Sequence, residues 1–228
     1  MSRQSISSKA ESRPPSQRTL GHHEGLAHAE GYDRAVSTHP LIYLTGAPAT
    51  GKTSVADYLR AAYGARAFSY GQALRDHASL HGISHEELRD QSSNVVTAEL
   101  IAELDASLPM LLAGWREDGP VVIDSHAVTS EVWGLRALPY SVDALAAIGI
   151  TQMVCLIADG ETLLGRIRAT PEGRRADDRW KLEQLNNTQL ALSAAYAHTL
   201  GIGLSVIDAR SSRGDVCRAV ASRCNLAP

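Results

Sequence analysis

The sequence predicts an α/β fold in which a parallel β-sheet is covered by helices on both faces. Short apolar runs alternate along the chain with segments of helical periodicity, which is the pattern of such folds. Most of these runs are apolar over several consecutive residues rather than alternating with polar ones, as expected for strands buried on both faces. A glycine-containing loop directly after the first run, with a helix behind it, is the third observation that favours this fold.

Five strands are predicted, each a short run bounded by turn residues or helical segments. They lie at residues 41–45, 65–70, 120–124, 151–157 and 204–208. Because helices separate them, the strands must run parallel, and the predicted architecture is a three-layer sandwich around a five-stranded parallel sheet.

The helices of the first half are predicted from their spacing and their end signals. One begins near Ser54, after the glycine loop. Gly71 is expected to end the second strand, with a helix over 72–80 behind it. Ser84 as N-cap, with Glu87 three residues later, predicts the start of another helix.

A longer helix follows, and Pro109 predicts a kink or an end in it. Its apolar stripe is Val96, Leu100, Leu104, Leu108 and Leu111. Later helices are predicted at 142–148, 160–168, 180–200 and 215–224. The helix at 180–200 carries Leu182, Leu185, Gln189, Leu192 and Tyr196 on one face.

Composition fits one domain with a tail. Hydrophobic residues make up 44% of the 228 residues, and the formal net charge is −3, which favours neither nucleic acid nor a membrane as a partner. Three cysteines without a Cys-x-x-Cys pair favour reduced thiols over a disulfide or zinc framework. With neither a signal-peptide core nor a membrane-length apolar run, we expect a cytoplasmic protein, and the sequence leaves its oligomeric state open.

Residues 1–39 are rich in Ser, Arg, His, Gly and Pro and have few clustered apolar residues. Burial cannot offset the entropy of ordering such a segment, so we predict a tail that is disordered or docked on a partner. The folded domain is predicted over 40–228. Four histidines of the tail are an alternative metal cluster, although no helical i, i+4 pair supports it: His22, His23, His28 and His39.

The glycine loop at residues 46–53 fits the pattern G-x-x-x-x-G-K-[ST] in its strand–loop–helix context. Its backbone N–H groups can curl around phosphate oxygens, and the following helix adds positive potential. Lys52 is predicted to reach the β- and γ-phosphates, and Thr53 to place its hydroxyl on Mg²⁺. The chain is therefore predicted to be a P-loop NTPase that binds ATP. The predicted nucleotide-binding residues are Gly46, Ala47, Pro48, Ala49, Thr50, Gly51, Lys52, Thr53, Ser54 and Arg168.

Asp124 ends an apolar strand about seventy residues after this loop. In P-loop NTPases a carboxylate in this position holds Mg²⁺, directly or through water. Ser125 and His126 follow at the sheet edge where open α/β folds bind ligands. His126 is predicted to contact an acceptor or to orient Asp124, with a purely structural histidine as the alternative.

Arginines cluster around a Pro-Gly turn between two helices. Arg166, Arg168, Arg174 and Arg175, with Arg179 beyond, are predicted to form a mobile lid at about 166–180. Guanidinium groups suit the charge of a transferred phosphoryl group, and Arg166, Arg174 and Arg175 are the predicted catalytic arginines. A solvated charged hairpin is the alternative reading.

Arg75, Arg89 and Arg136 lie in segments predicted to fold over the same sheet edge. They are candidates for binding an acceptor if the helices at about 71–114 form an insertion over that edge. Each of the three, taken alone, is also a common kind of surface arginine.

Several of these segments together resemble the archaeal-type adenylate kinases. They are the loop of form G-x-P-x-x-G-K-T, Ser69-Tyr70-Gly71, Glu87-Leu88-Arg89, Ile123-Asp124-Ser125-His126, the loop at 134–139 and Ala195-Tyr196-Ala197. The resemblance covers about residues 40–208. Ala49 stands where such loops often have glycine, Arg136 where a neutral residue is usual, and the lid is a little longer.

The resemblance implies a nucleoside monophosphate kinase fold with a monophosphate pocket opposite the P-loop. The implied acceptor-binding residues are Tyr70, Gly71, Leu74, Arg75, Arg89, Ser125, His126, Arg136 and Leu138. The first functional hypothesis is transfer of the γ-phosphoryl group of Mg·ATP to a nucleoside monophosphate such as AMP.

Two other hypotheses stay open. A kinase of a neutral hydroxyl acceptor, such as a nucleoside, sugar or antibiotic, would need a general base, for which Asp124 is the candidate. An ATP-binding switch or assembly factor would bind a protein or RNA partner instead.

Overall fold

A computed structural model describes residues 39–84, 96–131, 133–138, 141–170 and 178–227. The strands are β1 (Leu41–Gly46), β2 (Arg66–Ser69), β3 (Val121–Asp124), β4 (Val128–Ser130), β5 (Leu135–Ala137), β6 (Gln152–Ile157) and β7 (Gly203–Asp208). The helices are α1 (Lys52–Tyr63), α2 (Tyr70–Leu80), α3 (Ala98–Asp118), α4 (Val142–Ile148), α5 (Gly160–Ala169), α6 (Arg179–Leu200) and α7 (Arg213–Arg223).

The central sheet has five parallel strands in the order β2-β3-β1-β6-β7. The predicted five-stranded parallel sheet is confirmed. In its register Leu44 pairs with Asp124, and Gly46 pairs with Leu156. Because neighbouring parallel strands end at the same edge, this register places the loop after β1 beside the end of β3.

Two hydrophobic clusters occupy the two faces of the sheet, and β1 contributes to both. Ile42 and Leu44 pack with residues of α1, α5, α6 and α7 on one face. Leu41 and Tyr43 pack with residues of α2, α3 and α4 on the other. This alternation follows from the period of two residues in a strand, and it produces the three layers predicted from the sequence.

Helix α2 corrects the prediction for Gly71. The helix begins at Tyr70, so Gly71 lies in its first turn rather than between strand and helix. Ser69 caps it, since its side-chain oxygen accepts a hydrogen bond from the Gln72 N–H at 3.3 Å. A serine cap can start a helix through a glycine, because capping compensates for part of the low helix propensity of that residue.

Helix α3 excludes one of the two alternatives predicted at Pro109, namely an end of the helix there. The helix continues to Asp118 with Pro109 inside it. The buried face of α3 also differs from the predicted stripe after the proline, since Leu112 is fully buried while Leu111 is 41% exposed. Burial of Leu104, Leu108 and Leu112 holds both halves of the helix against the sheet, which compensates for the hydrogen bond that proline removes.

A β-hairpin replaces the loop predicted at 134–139. Strands β4 and β5 pair antiparallel, and Leu138 continues the ladder by donating its N–H to the Ala127 carbonyl at 2.8 Å. Three-residue strands of mixed polarity give too little periodicity to be recognised in a sequence. The hairpin directly follows the Asp124 strand and so lies at the edge of the sheet where the loop after β1 also begins.

Several predictions lie outside the described residues. They are the tail up to residue 38, most of the helix at 84–89 with Arg89, and the lid residues 171–177 with Arg174 and Arg175. Within the ranges that the structure describes, no helix combines the length and the apolar character needed to cross a membrane.

Candidate active site

The phosphate loop, residues 46–53, makes a tight turn out of β1. Gly46 and Gly51 have positive φ angles of 146° and 98°. A Cβ atom on Gly46 would lie 2.5 Å from the Leu156 carbonyl oxygen, a distance that real side chains do not reach. Thr50, which is buried, closes the turn by donating its hydroxyl to the Ala47 carbonyl at 2.8 Å. The loop is therefore a fixed backbone concavity that a glycine at position 46 makes possible.

The outer side of this loop is held by an arginine from α5. Arg166 donates from Nη1 to the Ala49 carbonyl at 3.2 Å and from Nη2 to the Ala209 carbonyl at 2.7 Å. One guanidinium group thus joins the phosphate loop to the segment after β7. Arg166, predicted as a lid arginine, lies against the phosphate loop and orients its backbone.

Lys52 lies at the start of α1 and extends back over the loop. Its Nζ donates to the carbonyl oxygens of Gly46 at 2.9 Å and Ala47 at 3.4 Å. The N-cap of α1 is Gly51, which has no side chain to occupy the N–H groups of the first turn. The positive end of the helix and the lysine charge therefore act on the same concavity, which suits a phosphate group.

Asp124 ends β3 beside these groups and is half-buried. Burial raises the pKa of its carboxyl group, while the Lys52 charge and a hydrogen bond from the Thr53 hydroxyl oppose the rise. A hydroxyl and a carboxylate so placed are hard oxygen donors, and Mg²⁺ is commonly held by one or two such protein ligands together with phosphate oxygens. The donor set of Thr53 and Asp124 fits that ion.

His126 stands between two positive charges. Burial, followed by the charges of Lys52 and Arg75, lowers the pKa of its imidazole to about 4. The ring is consequently neutral at physiological pH and can accept or donate one hydrogen bond without adding charge.

A cavity of about 400 Å³, the front cavity, joins the two sets of predicted residues. Lys52, Thr53 and Asp124 line it from the donor set, and Gly71, Arg75 and His126 line it from the acceptor set. Gly71 lies beside both acceptor side chains, since a Cβ there would make ordinary contacts with Arg75 Nη1 at 3.6 Å and His126 Cε1 at 3.9 Å.

Other predicted acceptor residues lie away from this cavity wall. Tyr70, Leu74, Ser125 and Leu138 are buried side chains. Tyr70 donates its hydroxyl to Asp105 Oδ1 at 2.6 Å inside the core.

Two of the predicted arginines also lie elsewhere. Arg136, on β5, donates to the Val96 carbonyl at 2.6 Å, which ties the hairpin to the segment before α3. Arg168 is exposed on α5.

A second cavity, of about 470 Å³, lies behind the phosphate loop, and we call it the rear cavity. It is bounded by the loop, by Arg166 and by the segment after β7. Its lining includes Ala49, Gly51, Arg166, Thr170, Ala209, Ser211, Arg213 and Val216. Sequence reasoning assigned no role to Thr170, Ser211 or Arg213, because no local motif marks them.

Gln189 on α6 joins the two active-site strands, a role that sequence reasoning missed. Its Nε2 donates to Thr45 Oγ1 at 2.7 Å, and its Oε1 accepts from the Ala127 N–H at 3.1 Å. Thr45 immediately precedes the phosphate loop, and Ala127 immediately follows His126. The available signal was one glutamine on the otherwise apolar face of a long helix.

Residues 42–187 match a family model described as an AAA domain (AAA_18). The chain belongs to this AAA domain family. The match runs from β1 into α6 and includes the phosphate loop, Asp124, His126 and Arg166. No curated protein matches the chain.

Two solved structures are similar to the chain. A gluconokinase from Sinorhizobium meliloti 1021 has a TM-score of 0.50 at 16% sequence identity, over 82% of this chain and 91% of that one. A candidate kinase from Chloroflexus aurantiacus j-10-fl has a TM-score of 0.49 at 20% identity, over 82% of this chain and 97% of that one.

At such identities the likeness to the gluconokinase concerns the fold. With the AAA domain match it confirms the predicted P-loop NTPase sandwich. The resemblance to adenylate kinases is confirmed at the level of a P-loop kinase fold, and the narrower assignment stays a prediction.

Proposed function

We propose that this AAA domain protein is an ATP-dependent kinase of a small molecule, with a nucleoside monophosphate such as AMP as its first candidate acceptor. The front cavity carries the proposal, because one concave space is lined by phosphate-loop residues and by Arg75 and His126 from opposite elements. A protein that only bound a nucleotide would not require a second polar wall facing the transferred phosphate.

On the donor side, the phosphate loop would cradle the triphosphate and the rear cavity would take the nucleoside. That cavity adjoins the loop at Ala49 and Gly51 and has both apolar and polar walls, as a base and ribose require. Thr53 and Asp124 would hold Mg²⁺, which supplies charge neutralisation at the β- and γ-phosphates.

On the acceptor side, Arg75 would pair with an anionic phosphate of the acceptor, and neutral His126 would supply a directional hydrogen bond. Arg89 remains a proposed acceptor contact. Arg136 is proposed to reach the acceptor only by leaving the Val96 carbonyl, to which it donates. Arg166 would orient the phosphate loop through its hydrogen bond to the Ala49 carbonyl. Arg174 and Arg175 are the proposed arginines that neutralise charge in the transition state.

The proposed reaction needs no covalent bond between the protein and the transferred phosphoryl group. The bond between the γ-phosphorus and its bridging oxygen to the β-phosphate breaks, and a bond to the acceptor oxygen forms in line with it. A phosphate acceptor is already anionic and needs no base. Alignment and charge neutralisation by Lys52 and the arginines therefore suffice.

A kinase of a neutral hydroxyl acceptor is the second candidate function. Asp124 lines the front cavity, and burial raises the pKa of its carboxyl group, which makes it a stronger base toward an alcohol. The gluconokinase that shares the fold is named for a hydroxyl-bearing acceptor. In this reaction the alcohol proton would pass to Asp124 as the new phosphorus–oxygen bond forms.

A product assay with ATP and Mg²⁺ tests the proposal. Nucleoside monophosphates, nucleosides, sugars and sugar acids are offered separately, and the phosphorylated product is identified by mass. A diphosphate formed from a monophosphate supports the first candidate, and a sugar or nucleoside phosphate supports the second. ATP binding without any transferred product would contradict both and favour a nucleotide-dependent switch.

Lys52→Ala is the first predicted variant. Removing the ammonium group should lower kcat/KM for phosphoryl transfer by about a hundredfold or more, since its charge would stabilise the transferred group in the proposed site. The circular dichroism spectrum should be unchanged. Lys9→Ala, in the N-terminal tail, is the matched control and should keep full activity. Full activity of Lys52→Ala would rule out the proposed site.

A further inference from the structure

Three side chains outside the front and rear cavities converge on one point between α2 and α3. His77 lies in the last turn of α2 and His81 is its C-cap residue, so the two imidazoles project from one face. Glu103 reaches the same point from α3. Its Oε2 lies 3.3 Å from His77 Nε2 and 3.1 Å from His81 Nε2. The potential ligand atoms of all three residues lie within 4.8 Å of one another.

These separations match the edges of a tetrahedral metal site. With metal–nitrogen and metal–oxygen bonds of about 2.0–2.2 Å, neighbouring ligand atoms are about 3.2–3.6 Å apart. One carboxylate oxygen faces both ring nitrogens at nearly that distance. The ring centroids are 4.9 Å apart, so one ion can contact both imidazoles.

The packing of the two helices holds the ligands in place. Leu74 and Ala78 of α2 share a hydrophobic cluster with Ile101 and Leu104 of α3. Ala78 lies between the two histidines in sequence and is fully buried. The helical spacing of His77 and His81 and the buried contact beside Glu103 therefore bring three donors to one point before any ion binds, which lowers the entropic cost of binding.

We propose that His77, His81 and Glu103 form a site for a divalent transition metal, with Zn²⁺ as the preferred ion. Two imidazole nitrogens and one carboxylate oxygen are a donor set suited to Zn²⁺, whereas Mg²⁺ and Ca²⁺ favour oxygen ligands. The side chains of His77, His81 and Glu103 are 22%, 45% and 54% exposed, so an ion can enter and water can take the fourth position.

The ion would join two helices that are separate in the chain. Helix α2 carries Gly71 of the front cavity in its first turn and Arg75 in its middle, and the metal site lies at its C-terminal end. Binding would therefore fix the far end of α2 to α3 without entering the front cavity. Its primary effect is on the stability of this helix pair.

Zinc binding to the full-length protein tests the proposal. The affinity is measured by competition with a chromophoric chelator, and the thermal midpoint is measured with ZnCl₂ and with a chelator. The wild-type protein should bind one Zn²⁺ at this site and melt at a higher temperature with zinc. His81→Ala and Glu103→Gln should each lower the affinity of that site by about tenfold or more and remove most of the thermal shift.

Two control variants separate this site from other histidines. His198→Ala removes an exposed histidine on α6, and a triple alanine variant removes His22, His23 and His28 of the tail. Both should keep the zinc-dependent shift. Wild-type affinity in His81→Ala, or a loss of zinc binding only in the triple variant, would overturn the proposal. Glu103→Gln replaces only one oxygen atom by nitrogen. If its circular dichroism spectrum is unchanged, a loss of zinc affinity in this variant comes from the lost ligand and not from unfolding.

Discussion

At the scale of single residues, Ala49 has a backbone conformation that residues with a Cβ atom rarely adopt. Its φ angle is +66°, in the left-handed region that costs a residue with a Cβ about 1–2 kcal/mol. The conformation directs its carbonyl oxygen to Arg166, 3.2 Å from Nη1. The phosphate loop therefore keeps a left-handed turn at a position where glycine would adopt it without strain.

Ala49→Gly is predicted to leave stability unchanged or to raise the free energy of unfolding by up to about 1 kcal/mol. Relief of the left-handed strain outweighs or balances the extra entropy that glycine brings to the unfolded chain. Urea denaturation measures the change. Ala61→Gly, at an exposed position inside α1, is the matched control and should cost about 1 kcal/mol. Equal losses of unfolding free energy in Ala49→Gly and Ala61→Gly would contradict backbone strain at Ala49.

The sequence reveals residues whose partners are close in the chain. Lys52 and Thr53 belong to one continuous motif, and Asp124 is the last residue of an apolar strand, so each could be predicted locally. Gln189 could not, because Thr45 and Ala127 are 144 and 62 residues away. His77, His81 and Glu103 were also missed, since their convergence depends on how two helices pack.

Between elements, the contact of α5 with the start of α6 depends on Gly160. A Cβ at this position would lie 2.6 Å from the Arg179 carbonyl oxygen and 2.7 Å from Glu183 Cγ. Helix α5 can therefore meet the start of α6 only with a glycine there. The same contact brings Arg166, one and a half turns later on α5, to the phosphate loop.

Gly160→Ala is predicted to lower the free energy of unfolding by about 1–3 kcal/mol, because α5 must move away from backbone atoms of α6. Gly165→Ala in the same helix is the control, since a Cβ there meets no atom within 4 Å among the described residues. The control should be neutral or stabilising by up to about 1 kcal/mol through helix propensity. Thermal or urea unfolding of both variants measures the difference, and equal effects would exclude the clash.

Through Gln189, α6 holds Thr45 and Ala127, which adjoin the phosphate loop and His126 of the candidate active site. Gln189→Met keeps the length of the side chain and removes both hydrogen bonds, leaving the Ala127 N–H and the Thr45 hydroxyl without this partner. The expected cost is about 1–3 kcal/mol of unfolding free energy, with a lower kcat for transfer. Asn187→Met, at an exposed position on α6, is the control and should change neither. An unchanged kcat and stability in Gln189→Met would show that the bridge is dispensable.

The elements that could be predicted were those with a clear apolar pattern. All five sheet strands and the helices α4 to α7 followed from apolar runs and spacing, because burial on two faces or one stripe leaves a strong pattern. The β4–β5 hairpin did not, since its strands have three residues each. The continuation of α3 through Pro109 depends on tertiary burial that no local signal contains.

At the scale of the whole molecule, the pH dependence of stability combines groups whose pKa values are shifted in opposite directions on folding. His126 has a folded pKa of about 4 against 6.5 for a free imidazole, so the unfolded chain binds more protons between these values. Its contribution to stability is present above about pH 6.5 and is lost as the pH falls toward 4. Burial raises the pKa of Asp124 and Asp105, whose contributions change in the opposite direction.

His126→Gln isolates one of these groups, because glutamine stays neutral in the same place. Between pH 6.5 and 4.5 the wild-type protein should lose more unfolding free energy than the variant, by on the order of 1 kcal/mol. The difference arises because the Lys52 and Arg75 charges and burial oppose protonation of His126. Urea unfolding at several pH values measures it. Parallel curves of unfolding free energy against pH for the two proteins would contradict a lowered pKa of His126.

The central place of β1 in the sheet has a consequence for synthesis. Its hydrogen-bond partners are β3 and β6, and the Leu41 carbonyl accepts from the N–H of Thr151, 110 residues later. At usual rates of translation, β1 leaves the ribosome on the order of ten seconds before β6 does. Until β3 follows, the nascent chain holds an apolar strand with neither edge paired, and until β6 follows one edge stays open. Chaperones that shield such strands would therefore meet this protein through β1.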